Sequence, residues 1–230
     1  MRDDDLKRCP AGYVLVVASS GRMLAKLASK ANYLPLVVDL FADQDTVVIA
    51  EQVWQVGSLS LSCVQPLIES LSALFTIKWV VYGSGLEAHQ STLAWLARYF
   101  TVLGNGATVF AQFSDKQAFF KQLNKLNIQY PKVCFSEPIG QHNWLIKPVY
   151  HAGGMSIRRY ITRAREDEYY QQFCTGKVGS ALFCADGQKV EIVGFHRQWS
   201  ISQDDFTFAG IVQESLLPES EQQRVLCWLK

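Results

Sequence analysis

The stretch WLIKPVYHAGGMSIRRY, residues 144–160, is the most informative part of this chain. A short apolar run ends at Lys147, and the proline that follows limits how far a strand can continue to pair. Gly153 and Gly154 come next, and a second run begins at Met155. Glycine lets backbone N–H groups approach an oxyanion closely, and lysine brings a positive charge to phosphate oxygens. The stretch therefore predicts a hairpin flap that closes over phosphates, although an ordinary hairpin with an exposed lysine has the same pattern.

A second lysine precedes this stretch in the segment SDKQAFFKQLNKLNIQYPK, residues 114–132. The segment predicts a helix with Ser114 as its N-cap and Asp115 in its first turn. Lys116 would lie in the same turn, where a cation opposes the helix dipole at a cost of about 0.3–1 kcal/mol. A nearby anionic ligand would remove that cost, whereas a solvated surface lysine is the alternative.

Composition excludes several classes of protein. The 230 residues are 49% hydrophobic and 19% charged, which is typical of a soluble globular chain with one or two domains. A formal net charge of +1 indicates neither nucleic acid nor an anionic membrane as partner. No apolar run approaches the ~20 residues of a membrane span, and residues 1–10 lack a signal-peptide pattern. Six cysteines without a CxxC pair indicate buried or incidental thiols in a reducing compartment, so we expect a cytoplasmic protein.

The first ~110 residues alternate between strand and helix patterns. Apolar runs at Tyr13–Ala18, Leu34–Asp39 and Trp79–Tyr82 have the length and composition of buried strands. Thr46–Ala50 is expected to be a further short strand, and Ser20 is the expected N-cap of the first helix. This order predicts a Rossmann-like, doubly wound α/β domain with a parallel sheet.

Ligands of such sheets bind at the carboxyl ends of the strands. Glycines and polar residues follow two of the predicted strands, and the candidate substrate-binding residues are Ser20, Gly21, Gly83, Ser84, Gly85 and Glu87. A turn with serine and glycine at a helix start can hold an anion. The turn lacks the GxGxxG pattern, so a tight βα connection is the simpler alternative to a dinucleotide site.

Three segments in order, the two lysine segments and then YYQQFCTG at residues 169–176, resemble the ATP-grasp superfamily. Its members have an α/β domain, a "(D/N)K … LxxxGIPxP" helix, a "KPxxGxGG" flap and a "QEFIxG" hinge. The segments DLFADQDT and YGSGLE further resemble a branch linked to methanopterin and methanofuran biosynthesis. The resemblance implies a pre-ATP-grasp domain at residues 1–112 and an α+β ATP-grasp domain at residues 113–230. The latter would divide into subdomains at about 113–170 and 171–230.

The resemblance also implies roles for individual residues. ATP would be bound by Lys116, Lys147, Gly153, Gly154, Met155, Gln172, Phe173 and Cys174. The two lysines would hold the phosphates and the glycines would cover them. At the hinge, the carbonyl of Gln172 and the N–H of Cys174 would bind the adenine edge, which needs one acceptor and one donor.

One departure from the family concerns the metal. The family places Mg²⁺ ligands in an "ExNxR" motif on later strands, and this sequence contains no such motif. Glu191 is the only acid on a predicted late strand, and no metal ligands are identified. We therefore expect the ATP-grasp domain to be incomplete at its C-terminus.

The resemblance implies an ATP-dependent carboxylate–amine or carboxylate–thiol ligase that forms an acyl phosphate. Its cofactors would be ATP and Mg²⁺, its substrates a small carboxylate and an amine, and its assembly a homodimer, with no nucleic-acid or membrane partner. A non-catalytic nucleotide-binding or assembly protein of the same fold is the alternative. A plain α/β domain with a redox or dinucleotide role is a third interpretation.

Overall fold

A computed structural model describes residues 11–140, 143–150, 153–202 and 204–229. Residues 1–10, which include Cys9 and lack a signal-peptide pattern, lie outside the described residues, as do His151 and Ala152 of the flap stretch. The chain forms two compact units, one ending at Asp115 and the other beginning at Lys116.

The first unit alternates strands and helices. Its elements are β1 (Tyr13–Val17), α1 (Arg22–Lys30), β2 (Leu34–Asp39), α2 (Gln44–Ile49), β3 (Gln52–Gln55), α3 (Leu61–Leu74), β4 (Ile77–Tyr82), α4 (Gln90–Tyr99), β5 (Thr101–Val102) and α5 (Ala107–Ser114). The five strands pair in parallel in the order β3-β2-β1-β4-β5.

Both faces of this sheet are covered. Leu15 and Val17 of β1 pack in a core with residues of α3 and α4. Val16, between them in sequence, packs with Ala25 of α1 on the other face. Successive side chains of a strand point to opposite faces, so a strand buried on both faces reads as a continuous apolar run. The structure thus confirms the prediction of an α/β fold with a parallel sheet.

Asp39, at the end of β2, is completely buried. Its carboxylate accepts hydrogen bonds from the N–H groups of Gly21 at 2.9 Å, Phe41 at 3.2 Å and Ala42 at 2.7 Å. A buried carboxylate requires such partners. This one therefore joins the start of α1 to the loop after β2.

Two local predictions in this unit are wrong. Thr46–Ala50 was expected to be a strand, but residues 44–49 form α2 because the Asp43 side chain caps the N–H of Thr46 at 2.9 Å. The strand follows as β3, which the sequence analysis missed. Ser20 is not the N-cap of α1 either, because Gly21 occupies that position without a side-chain cap.

The second unit contains two sheets. Its elements are α6 (Lys116–Lys125), β6 (Val133–Cys134), β7 (Trp144–Pro148), β8 (Arg158–Arg159), β9 (Glu168–Gln172), β10 (Val178–Ala185), β11 (Val190–Ser200), β12 (Phe208–Gln213) and α7 (Glu219–Leu229). One sheet has the order β6-β9-β7-β8 and the other β10-β11-β12, and all of their pairs are antiparallel.

The start of one helix and the start of one strand in this unit differ from the sequence predictions. Asp186-Gly187, a dipeptide typical of tight hairpin turns, joins β10 to β11, and Gly187 has a φ of 88°. Ser114 is not an N-cap, because it is the buried last residue of α5, and α6 begins at Lys116. The run expected to begin at Met155 forms strand only at residues 158–159.

Two further sequence expectations concern cysteines and membranes. Of the five described cysteines, Cys134 is half-buried and the others are exposed, and all five thiols are free. Most of these thiols are therefore not the buried ones that the sequence led us to expect. No helix in the described part of the chain is both long and apolar enough to cross a bilayer.

We predict that Asp39→Ala lowers the free energy of unfolding by about 2–4 kcal/mol, since it removes the acceptor of one buried and two part-buried N–H groups. Urea denaturation followed by circular dichroism measures this change. Asp45→Ala is the matched control, because Asp45 is exposed in an ion pair with Arg22 and its loss should cost at most about 0.5 kcal/mol. Equal effects of the two variants would show that Asp39 has no special structural role.

Candidate nucleotide-binding site

An aromatic contact brings the two predicted phosphate lysines together. Lys116 and Phe120 are four residues apart on α6, so they lie on the same helix face. Phe120 is buried, and its ring lies 5.9 Å from that of Tyr169 on β9. Tyr169 is directly opposite Lys147 in the β7–β9 pair. Phe135 stacks on Tyr169 at 5.6 Å and completes the packing.

The charges of the two lysines oppose each other. Burial lowers the pKa of the half-buried Lys147, and the positive charge of Lys116 lowers this pKa further. No carboxylate of the described residues forms an ion pair with Lys147. Burial also raises the pKa of Tyr169 to about 12, so its phenol stays neutral and does not offset the charges. An anion with several charges would stabilise this arrangement.

The two flap glycines have different environments. Both have left-handed backbones, with φ of 66° at Gly153 and 74° at Gly154. A Cβ on Gly154 would overlap the carbonyl oxygen of Phe206, whereas the space around Gly153 is open. The Gly153 carbonyl accepts a hydrogen bond from the Phe208 N–H at 2.8 Å. Gly154 is therefore required by packing, and Gly153 is open to a ligand.

A cavity of about 310 Å³ lies beside these glycines, which is at the lower end of the size range of small-molecule sites. Its lining consists of Gly153, Gly154, Val178, Gln198, Trp199, Ser200, Phe206 and Phe208. Neither lysine of the pair lines this cavity. Met155, predicted with the flap, is about half exposed and does not line it either.

The predicted hinge follows β9. The N–H of Gln172 donates to the carbonyl of Lys132 at 2.8 Å, and that of Phe173 donates to Asn143 at 2.6 Å. The Gln172 carbonyl accepts a weak hydrogen bond from the Cys174 thiol at 3.9 Å. Within the described residues the Cys174 N–H forms no hydrogen bond. One acceptor and one donor thus lie near each other at an exposed position, which matches the requirement of an adenine edge.

The candidate substrate residues of the first unit lie at the carboxyl ends of β1 and β4, which are neighbours in the sheet. The N–H of Ser19 donates to the carbonyl of Ser84 at 2.7 Å, so the two loops meet. The Gly21 N–H is bound to Asp39, and the Gly85 N–H donates to the Glu87 carboxylate at 2.6 Å. These two N–H groups are therefore occupied by the protein itself.

The remaining candidates of this unit, Ser20 and Gly83, are explained by their position in the chain and by packing. A Cβ on Gly83 would lie 2.9 Å from the Cβ of Ala18. Ser20 is exposed in the turn between β1 and α1. No contact in the described structure identifies a ligand for these two residues.

The acids of the last three strands and their loops do not form a metal site in the described part of the chain. Glu191 is nine residues from Ser200 along β11, a distance of roughly 30 Å at ~3.3 Å per residue. Asp204 pairs with Arg159 at 3.5 Å. Asp205 accepts a hydrogen bond from the N–H of Thr207, and the hydrogen bonds of Thr207 lower the pKa of this carboxyl. Among the described residues no three His, Cys, Asp or Glu side chains group as metal ligands.

Arg159 and Phe206 lie beside the site, and no sequence motif predicted them. The Arg159 guanidinium lies 4.4 Å from the ring centroid of Phe173 and 5.8 Å from that of Phe206. No motif indicated these contacts, because residues 159, 173 and 206 are brought together only by the sheets that carry them.

Comparison with known proteins identifies the family. The model of the ATP-grasp domain matches residues 113–227, half of the 230 residues. No curated protein matches the chain. N5-carboxyaminoimidazole synthetase from Staphylococcus aureus complexed with ADP is 11% identical, with a TM-score of 0.70 over 96% of this chain and 63% of that one.

Two other solved structures have a similar fold. L-amino acid ligase from Bacillus licheniformis is 13% identical, with a TM-score of 0.71 over 96% of this chain and 59% of that one. The biotin carboxylase domain of Hydrogenobacter thermophilus 2-oxoglutarate carboxylase, a dimer solved with MgADP, ADP and bicarbonate, is 13% identical, with a TM-score of 0.73 over 94% and 56%. The chain spans about three-fifths of the length of the first structures that it matches. Since the family model covers half of its residues, this chain belongs to the ATP-grasp domain family.

Proposed function

We propose that this protein binds ATP and is an ATP-dependent ligase that joins a small carboxylate to an amine. The observation that carries the proposal is the half-buried Lys147 beside Lys116, two positive charges that repel each other. Among the described residues, no carboxylate forms an ion pair with Lys147. A polyphosphate would reverse the energetic cost of this arrangement, since its charges are opposite and it can contact both ammonium groups.

The other parts of the site are consistent with a nucleotide. Open space around Gly153 allows a phosphate to approach the flap backbone, and the Gln172 carbonyl and Cys174 N–H offer the two groups that an adenine edge binds. The names of the compared structures add support, because two of them describe complexes with ADP or MgADP.

The proposed chemistry has two steps. A carboxylate oxygen of the substrate attacks the γ-phosphorus of ATP, the bond to the β,γ-bridging oxygen breaks, and ADP leaves with an acyl phosphate formed. An amine then attacks the acyl carbon, loses a proton and displaces phosphate. The protein contributes positioning and positive charge, and the two lysines are the described groups that provide the charge.

Magnesium is implied by the family, but the described residues do not fit it at this site. No carboxylate lines the flap cavity, and Glu191 lies at the opposite end of β11. A hard cation of this kind needs oxygen ligands, usually one or two carboxylates with substrate phosphates.

Further parts of the proposal concern substrates and setting. We infer that the carboxylate binds at the carboxyl ends of β1 and β4 near Ser84 and Glu87, in a pre-ATP-grasp domain of residues 1–112 that precedes an ATP-grasp domain from residue 113. The DLFADQDT and YGSGLE segments support a role in one-carbon cofactor biosynthesis. A cytoplasmic homodimer is the proposed state.

A non-catalytic nucleotide-binding protein is the second candidate. The observation in its favour is the position of Glu191, which leaves the flap cavity without a lining acid among the described residues. Binding without turnover would be its signature.

Lys147→Ala is predicted to weaken ATP binding roughly 10- to 100-fold, the range for a lost hydrogen bond to a charged group. Calorimetric titration measures the affinity. Lys189→Ala is the matched control, because Lys189 follows the β10–β11 turn at the far end of that sheet from the cavity. An unchanged affinity of the Lys147 variant would return this residue to the role of a surface lysine.

ATP binding is predicted to take up protons at alkaline pH. Burial and the charge of Lys116 lower the pKa of Lys147 in the free protein, so its neutral form is populated at a lower pH than that of a solvated lysine. Bound phosphates favour the charged form and raise the pKa again, so affinity falls as pH rises through the pKa of the free protein. Titrations in buffers of different ionisation enthalpy measure the uptake, which should disappear in Lys147→Ala. Binding without uptake in the original protein would contradict this explanation.

Turnover is tested by trapping the acyl phosphate. With ATP, magnesium and a panel of small carboxylates, hydroxylamine should capture the intermediate as a hydroxamate, together with an equal amount of ADP. Lys189→Ala should retain this product and Lys147→Ala should lose most of it. ATP binding without any hydroxamate or ADP from the panel would favour the non-catalytic candidate.

A further inference from the structure

Arg159 joins three parts of the second unit. Its β8 strand follows the flap, and its guanidinium lies over the rings of Phe173 after the hinge and Phe206 before β12. The two rings are themselves in an edge contact, with centroids 6.1 Å apart. A cation over aromatic faces at these distances is attracted by the ring quadrupoles. We call Arg159, Phe173 and Phe206 the Arg159 cluster.

The flap turn docks on the same loop. Gly154 fits against the Phe206 carbonyl, and the Gly153 carbonyl accepts the Phe208 N–H at 2.8 Å. Gly153, Gly154 and Phe206 also line the 310 Å³ cavity. Thus the turn that lines the cavity contacts the backbone of Phe206, the residue whose ring lies under Arg159.

The aromatic contacts explain the use of arginine better than its ion pair does. The side chains of Arg159 and Asp204 are 41% and 88% exposed, and their closest atoms are 3.5 Å apart, so water and salt screen the pair. A planar guanidinium stacks on rings in a way that a lysine ammonium does not reproduce.

We infer that Arg159 is a positioning residue that holds the glycine flap closed over the cavity. It does so by fixing the Phe206 loop on which the flap turn docks. Phe173 lies between the two hinge residues proposed to bind adenine, so a nucleotide at the hinge and a closed flap stabilise each other through the Arg159 cluster. This last step rests on the proposed nucleotide binding, whereas the closure of the flap does not.

Hydrogen exchange in the nucleotide-free full chain tests the closure. The Phe208 N–H reports directly on flap docking, because its acceptor is the Gly153 carbonyl. The reference is the Ile128 N–H, which donates to the Leu123 carbonyl at the end of α6, away from the Arg159 cluster. Arg159→Ala should speed exchange at Phe208 roughly two- to fivefold, the factor expected for an exposed cation–π contact, and leave Ile128 unchanged.

Arg163→Ala is the matched control. Arg163 is four residues away, is 82% exposed and pairs with Glu137, so its loss should change neither amide by more than about twofold. Arg159→Lys should behave like Arg159→Ala, and Asp204→Asn like the control. Unchanged exchange at Phe208 in Arg159→Ala, or equal acceleration at Phe208 and Ile128, would overturn the inference.

Phe206→Leu provides a second variant. If the ring and the guanidinium act together, adding Arg159→Ala to Phe206→Leu should produce little further acceleration at Phe208. Fully multiplicative effects of the two changes would contradict the cluster.

The link to the nucleotide is measured separately by the dissociation rate of a fluorescent ADP analogue. Arg159→Ala should raise this rate by a factor similar to the exchange effect, and an unchanged rate would overturn the link. Absence of nucleotide binding to the original protein would refute the proposed function, while the exchange result for the flap would stand.

Discussion

Tyr169 is packed between the helix that begins with Lys116 and the strand that carries Lys147. Its ring contacts Phe120 and Phe135, and its backbone pairs with the lysine strand. Phe120 and Tyr169 are buried, and burial of each ring is worth about 2–3 kcal/mol by typical values. Together they exceed the repulsion of two partly solvated ammonium groups, which is on the order of 1–4 kcal/mol. Hydrophobic packing therefore holds two like charges close together in the second unit.

The two units differ in how their sheets are buried. In the first unit, β1 and β2 lie between two layers of helices, and the buried Asp39 satisfies the backbone of the adjoining turns. In the second unit, none of the described residues of β10, β11 or β12 is buried. A sheet of that kind has less packing to keep it rigid, so local contacts such as those of Arg159 have a larger influence on the position of the flap.

Chemistry and packing make different demands on neighbouring glycines. Gly154 is needed because a side chain would overlap the Phe206 carbonyl, whereas the open space beside Gly153 is available to a ligand. The same distinction applies in the first unit, where a Cβ on Gly85 would collide with Ser19 and its N–H is bound by Glu87. Glycine patterns therefore locate close approaches of the backbone, but they do not show whether the approaching group is a ligand or the protein.

Much of the fold follows from local patterns in the sequence. Continuous apolar runs identify β1, β2 and β4, and Asp186-Gly187 identifies the β10–β11 hairpin, because strand burial and turn geometry depend on residues close together in the chain. The boundary errors at Thr46 and Ser114 arise where a single side-chain cap or a preceding helix overrides propensity. The order of three short segments was sufficient for the ATP-grasp family. Three features could not be predicted from the sequence: the proximity of Lys116 to Lys147, the position of Glu191 away from the cavity, and the Arg159 cluster. They depend on strand register and on contacts between residues 14–47 positions apart, which exist only after the sheets have paired.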